Sequence, residues 1–394
     1  MEPRPVASRR GHSRAGDRHP AGRNRAGASP AATPRMRPVS YSTVRLLRLW
    51  LVVVAGLVFL TVVVGGATRL TESGLSIVEW RPLTGTLPPL TEARWLAEFD
   101  KYKAIPQYQL VNRGMTLGDF KTIYWWEWGH RNVARLTGLV FLLPFLWFLW
   151  RGALGRGLVV GLSAIFALGA VQAGVGWWMV SSGLADRIYV SHYRLAFHLT
   201  LACLVFAALV WTAARVGARG IVAVPARLRI GAVVLAGLTL VQIYFGALVA
   251  GLRAGLVHNT WPLIDDRLIP RAADLFFADP LWMNFFENAL TIQFTHRMVG
   301  YTLALVALAH FVDALASTCE RGVRRGALAV TAAIAVQIAI GVMTLLARVP
   351  IDLALLHQAT ALVVLMLAVL HAERLTRPAA APAPAAPDLV LAAR

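Results

Sequence analysis

The chain has 394 residues, 57% of them hydrophobic and 15% charged, with a mean hydropathy of +0.59. That balance excludes an ordinary soluble globular chain and makes a lipid bilayer the natural solvent. A net charge of +19 does not restore a nucleic-acid reading: residues 1–48 alone hold eleven arginines against Glu2 and Asp17, and no basic groove with interleaved aromatics follows.

The leader, 1–44, is rich in Pro, Gly, Ala and Arg and reads as a disordered segment lying on the inner leaflet. It is Arg-rich and acid-poor like a mitochondrial transit peptide, but not strongly amphipathic. The bias of Arg over Lys and the Ala/Pro-rich tail at 377–394 point instead to a GC-rich bacterium and its inner membrane, with the mitochondrial inner membrane as the alternative.

A helix needs about 20 apolar residues to cross the hydrocarbon. The runs that qualify are 45–67, 132–150, 157–180, 193–214, 229–251, 295–316, 325–347 and 353–373. Arg151 and Arg156, then Arg215, Arg219, Arg227 and Arg229, then Arg321, Arg324 and Arg325, then Arg374 and Arg377 fall on the leader's side. The positive-inside rule makes that side cytoplasmic, with both termini, and puts the long loops 68–130 and 252–294 in the periplasm. Cys203 and Cys319 suggest neither a disulfide nor a metal site.

An internal repeat organises the spans. Val171-Gln172-Ala173-Gly174-Val175-Gly176 returns as Val336-Gln337-Ile338-Ala339-Ile340-Gly341, an offset of 165, and Glu127-Trp128-Gly129-His130-Arg131 returns as Gln293-Phe294-Thr295-His296-Arg297, an offset of 166. Four spans per copy is an even number, so both copies insert the same way round. The expected architecture is an all-α integral membrane protein with eight transmembrane helices in two pseudo-twofold-related four-helix bundles, 45–216 and 217–376.

Four of ten histidines occupy equivalent places: His130 and His198 in the first copy, His296 and His357 in the second. An ionisable side chain in a membrane span is costly and so a functional candidate. Two histidines on facing helices supply both axial ligands of one haem. The alternative, interfacial histidines bonded to backbone or water, does not explain why the positions repeat. His12, His19, His192, His258, His310 and His371 are read as non-ligands. Glu127 lies three residues before His130, where the second copy has Gln293. It is either a helix-end acid or a proton acceptor that makes the first site reactive and leaves the second inert. Arg69, Arg131, Arg253 and Arg297 stand on the outer side against the charge bias, where they either snorkel or bind the propionates of a haem.

With those residues in place the sequence resembles haem A synthase, in its proteobacterial and mitochondrial branch. The matching stretches run from Gly65-Gly66-Ala67-Thr68-Arg69 through Glu72-Ser73-Gly74-Leu75-Ser76, Trp80 to Pro89, Glu127 to Arg131, Tyr193 to Leu199, Asn259 to Leu263, Phe294 to Arg297 and His357-Gln358-Ala359-Thr360, over about residues 45–373. The resemblance implies oxidation of the C8 methyl of haem O to a formyl group, giving haem A for cytochrome oxidase. It further implies a haem b on His296 and His357, haem O held by His130 and His198, and Glu127 in catalysis. The cysteine pairs of the Gram-positive branch are absent, so a thiol relay is unsupported.

The implied partners are the bilayer, with haem O synthase, cytochrome oxidase assembly factors and a second copy of the chain as candidates. A second class of function is a di-haem b protein trading electrons with quinol and leaving the macrocycle unchanged. A third, a proton-coupled transporter, fits less well, since parallel repeats with all ligands at one membrane face do not suggest alternating access.

Overall fold

A computed structural model describes residues 41–218, 220, 223–317 and 320–377. Most of the expected leader, the tail beyond 377, His12, His19, Arg219 and Cys319 lie outside the described residues. In chain order the helices are α1 (Tyr41–Leu70), α2 (Glu92–Lys103), α3 (Pro106–Leu110), α4 (Leu117–Trp150), α5 (Arg156–Ser181), α6 (His192–Arg215) and α7 (Ala226–Gly251). The short α8 (Ala254–Val257), α9 (Ala272–Leu275) and α10 (Asn284–Glu287) follow, then α11 (Ala289–Ala316), α12 (Arg321–Leu346) and α13 (Ile351–Leu375). Among the described residues there is no strand, only an isolated bridge between Ile264 and Arg267.

Eight of these helices, α1, α4, α5, α6, α7, α11, α12 and α13, are long and apolar enough to cross a membrane. The second begins fifteen residues before the apolar run at 132. Lys121, Glu127, His130 and Arg131 break that run, yet the helix is nucleated by a capping box: Thr116 Oγ1 accepts from Asp119 N at 3.2 Å while Asp119 Oδ2 accepts from Thr116 N at 3.1 Å. At 1.5 Å per residue α4 is about 51 Å long, well beyond the hydrocarbon, so its polar first turns stand outside it. Pro144 has no N–H to give Val140 O, and Trp50 Nε1 of α1 donates to that carbonyl instead at 2.7 Å.

Helix α1 packs on α4 and α6, as α7 packs on α11 and α13, while α5 rests on α6 and α12 on α13. Helices α1, α6, α7 and α13 also meet one another and fill the centre; α5 is the least buried of the eight. The central core includes Leu51, Phe148, Leu162, Leu209 and Leu365, all buried.

The first long loop has an apolar core of its own. Trp95, Phe99, Tyr102 and Ile105 of the loop pack on Phe120 and Tyr124 of α4. Asn112 Nδ2 donates to Tyr102 Oη at 2.7 Å, which in turn donates to Gln107 Oε1 at 3.1 Å. Burying such rings contributes about 1.5–3 kcal/mol each, enough to hold the cap on the outer ends of the helices.

Candidate functional site

Each of the four repeated histidines faces a glycine of a neighbouring helix, and in each case a Cβ there meets the imidazole. At Gly65 (α1) it would lie 2.8 Å from His130 Nε2, and at Gly176 (α5) 2.9 Å from His198 Cε1. At Gly246 (α7) it would lie 3.0 Å from His296 Cε1, and at Gly341 (α12) 2.7 Å from His357 Cε1. The glycines let helix backbones close on the rings, which fixes ring position by packing.

Three of the four rings also have a glutamine one turn before the glycine. Gln172 Nε2 donates to His198 O at 3.0 Å, and Gln337 Nε2 donates to His357 O at 2.8 Å. Gln337 Nε2 is also 3.1 Å from His357 Nδ1, and Gln242 Nε2 is 3.1 Å from His296 Nδ1. His130 has none: Thr61 stands four residues before Gly65 and bonds Leu57 O and Thr137 instead. The repeated glutamine was visible in the sequence motif; its contact with the imidazole was not, because it depends on how α5 meets α6.

His296 and His357 line one cavity of about 430 Å³ together with Gln242, Gln337, Arg69, Arg253 and Arg297, its walls otherwise mostly apolar. The residues fit a bis-histidine haem: two imidazoles from different helices, apolar walls, and arginines for carboxylates. Arg297 donates to Thr260 O at 2.7 Å and Leu263 O at 3.2 Å, and its Nε is buried without a partner. Arg69 bonds Ala250 O of α7. Arg253 pairs with Glu72 at 2.5 Å and stacks on the Tyr189 ring at 3.9 Å. Arg131 is placed differently, away from that cavity. Its guanidinium donates to Glu127 Oε1 (Nη2, 2.6 Å), Ile77 O (2.7 Å) and Glu79 O (2.9 Å), tying the first long loop to α4.

Glu127 is buried, on the same helix as His130 and one turn before it. Its Oε2 accepts from Ser76 Oγ at 2.7 Å and Ile77 N at 2.8 Å, and its Oε1 accepts from Arg131. Gln293 does the corresponding job more simply, donating to His258 O of the second loop at 2.6 Å. Both residues therefore clamp a loop onto the histidine's helix, and only one carries an ionisable group there.

Two histidines read as non-ligands also form a pair. His310 (α11) and His371 (α13), both buried and each fourteen residues after a cavity histidine, have Nε2 atoms 2.8 Å apart. That separation is a hydrogen bond and leaves no place for an iron between the rings. His192, also buried, lies 2.9 Å from Phe286 O and binds the second loop. Gln358, the neighbour of His357, donates to Val62 O of α1 at 2.8 Å and abuts Gly66, so Gly65 and Gly66 face histidine sites from different copies of the repeat.

Residues 48–369 match the COX15-CtaA family, described as cytochrome oxidase assembly protein. The chain belongs to this family. Among curated relatives, it is 61% identical over 330 residues to a heme A synthase of Bradyrhizobium sp. strain BTAi1, covering 84% of this chain and 91% of that one. It is 58% identical over 347 residues to the heme A synthase of Bradyrhizobium sp. strain ORS 278, covering 88% and 96%. To that of Rhodopseudomonas palustris strain BisA53 it is 56% identical over 349 residues, covering 89% and 96%.

Proposed function

We propose that the chain is a haem A synthase: a membrane oxidoreductase that converts the C8 methyl group of haem O to a formyl group, giving haem A for cytochrome oxidase. Near-full-length identity to heme A synthases supports the reaction. The residue-level reading rests on one observation, the repeated glycine-faced histidine pair in which Glu127 of the first copy is replaced by Gln293 in the second.

On this reading the chain is two four-helix bundles, 45–216 and 217–376, related by a pseudo-twofold axis along the membrane normal. His296 and His357 hold a haem b, with Arg69, Arg253 and Arg297 taking its propionates. A haem b held by these two imidazoles would supply one-electron transfer. Gln242 and Gln337 orient the two imidazoles, as outer groups do at metal sites.

His130 and His198 hold haem O. Converting a methyl to an aldehyde takes up the elements of one water and gives up four electrons and four protons to an acceptor outside the chain, through a hydroxymethyl and then a geminal diol that loses water. Glu127 accepts protons in these steps, and Arg131, Ser76 and Ile77 N fix its carboxylate in place. The long loops lie on the periplasmic side of a bacterial inner membrane, with both termini in the cytoplasm. The haem profile of the purified protein and of the expressing cells tests the reading: haem A formed from haem O supports it, and haem b alone with no haem A removes it.

A further inference from the structure

The two copies differ in how their second and third spans meet. In the second copy α12 closes on α11 at small residues, with Thr331 Oγ1 donating to Ala307 O at 3.1 Å. Subtracting the repeat offsets, Ala307 corresponds to Phe141 and Thr331 to Phe166. Those two rings stack with centroids 5.7 Å apart and wedge α4 from α5. Small facing residues bring helix backbones together and a ring pair holds them apart.

Beyond the wedge, toward the outer ends, α4 and α5 do not close again. No residue from 128 to 140 of α4 or from 166 to 181 of α5 is buried, whereas the corresponding parts of α11 and α12 bury Leu303, Ile334, Ile340 and Thr344. Ile334 is 2% exposed and lines the haem b cavity. Its counterpart is Gly169, exposed, where an added Cβ would meet nothing within 4 Å. Gly138 of α4, three residues from Phe141 as Gly169 is from Phe166, likewise has nothing within 4 Å of an added Cβ. A stacked pair, Trp80 and Trp177, with centroids 6.0 Å apart, links the loop to α5 at the outer end. Between Phe141 and Trp128 the gap is about 20 Å tall at 1.5 Å per residue; His130 stands on α4, one of its flanks, and His198 on α6, against Gly176 of the other flank, α5.

We propose that this gap is a lateral window through which haem O passes from the bilayer to His130 and His198. It rests on haem O being the substrate. Haem O carries a long isoprenoid chain and dissolves in the membrane, so a route through lipid spares the tail any passage through water. The closed α11–α12 wall suits a haem that stays, and the open α4–α5 wall suits one that must arrive and leave. The wedge Phe141–Phe166 and the missing side chain at Gly169 set the opening.

The test uses the full chain with its haem b in lipid nanodiscs, offered haem O from donor vesicles. The rate of haem O capture is read from its absorbance change, alongside product formed. Two variants copy the closed wall: Gly169→Ile, and the pair Phe141→Ala with Phe166→Thr. Each should slow capture about tenfold, the low end of the one to three decades over which association rates vary among variants of one site. Haem b content on the same sample should be unchanged. Val160→Trp, on an exposed position of α5 on the other side of the wedge from the gap, should capture haem O at the wild-type rate. Wild-type capture rates in both closed-wall variants, with haem b retained, overturn the window. If the wild-type protein captures haem O but never converts it, the synthase reading fails while the window stands. Failure of the wild-type protein to capture haem O at all removes both.

Discussion

Glu72 and Arg253 each lie seven residues after a glycine that faces an equivalent histidine, Gly65 and Gly246, and they meet each other in an ion pair of 2.5 Å. Both follow the outer end of a first span, and both adopt left-handed backbone, with φ of 56° and 55°. The pair is about a third exposed, which limits its worth to about 0.2–1 kcal/mol. Arg253→Glu should lower the thermal midpoint, and adding Glu72→Arg should recover most of the loss. Retention of haem b should recover only in part in the double variant, because Glu72 lines the same cavity and the arginine gained there stands in a different place from the one lost at 253. Full recovery of haem b would remove Arg253 from its binding.

His296→Ala or His357→Ala should release the haem b while the helical fold persists. Pyridine haemochrome spectra and circular dichroism on the same purified samples read the two outcomes. Full haem b in both variants would refute the ligand assignment.

Glu127→Gln should leave haem b in place and lower conversion of haem O by about a hundredfold or more, the usual contribution of a positioned acid–base group. The hydroxymethyl intermediate should build up relative to haem A, since the later steps need a base that an amide does not supply. An amide also turns donors toward Arg131 and Ile77 N, so the first loop should become more sensitive to protease. Loop loosening with a wild-type ratio of haem A to haem O would reduce Glu127 to a clamp.

Impermeant maleimide should label cysteines at Leu83 and Asp266 in whole cells, both positions being well exposed. Ser73 lies in the same loop as Leu83 but is fully buried, so it is a poor probe site. Labelling only after lysis would invert the topology.

His371→Leu should destabilise the protein by about 1–3 kcal/mol, the cost of leaving a buried partner unpaired at His310. Replacing both rings with leucine should restore most of that, with haem b unchanged throughout. Equal thermal midpoints for wild type and His371→Leu would show that the pair contributes nothing.

The eight spans and the four repeated histidines were legible because apolar length and a fixed offset survive in a linear pattern. The early start of α4 was not: Glu127, His130 and Arg131 look like loop residues until Thr116 and Asp119 are seen to cap a helix. Arg131 and Arg297 looked alike in sequence, yet only Arg297 borders the cavity of His296 and His357, because Glu127 turns Arg131 toward the loop and Gln293 bonds a carbonyl instead. The pairing of His310 with His371 depends on which helices lie across the bundle, and their spacing alone resembles that of ligands. The wedge of Phe141 on Phe166 was hidden in the repeat itself, since it shows only when Ala307 and Thr331 are placed beside it.

The adjacency of Gly65 and Gly66 couples the fates of the two copies. One of these residues makes room for His130 and the next for Gln358, the neighbour of His357. A side chain gained at either position disturbs one of the two histidine sites, and a one-residue slip of α1 disturbs both. With α1 seated against both, neither copy can be altered along this helix without its twin: the tandem is a single mechanical part.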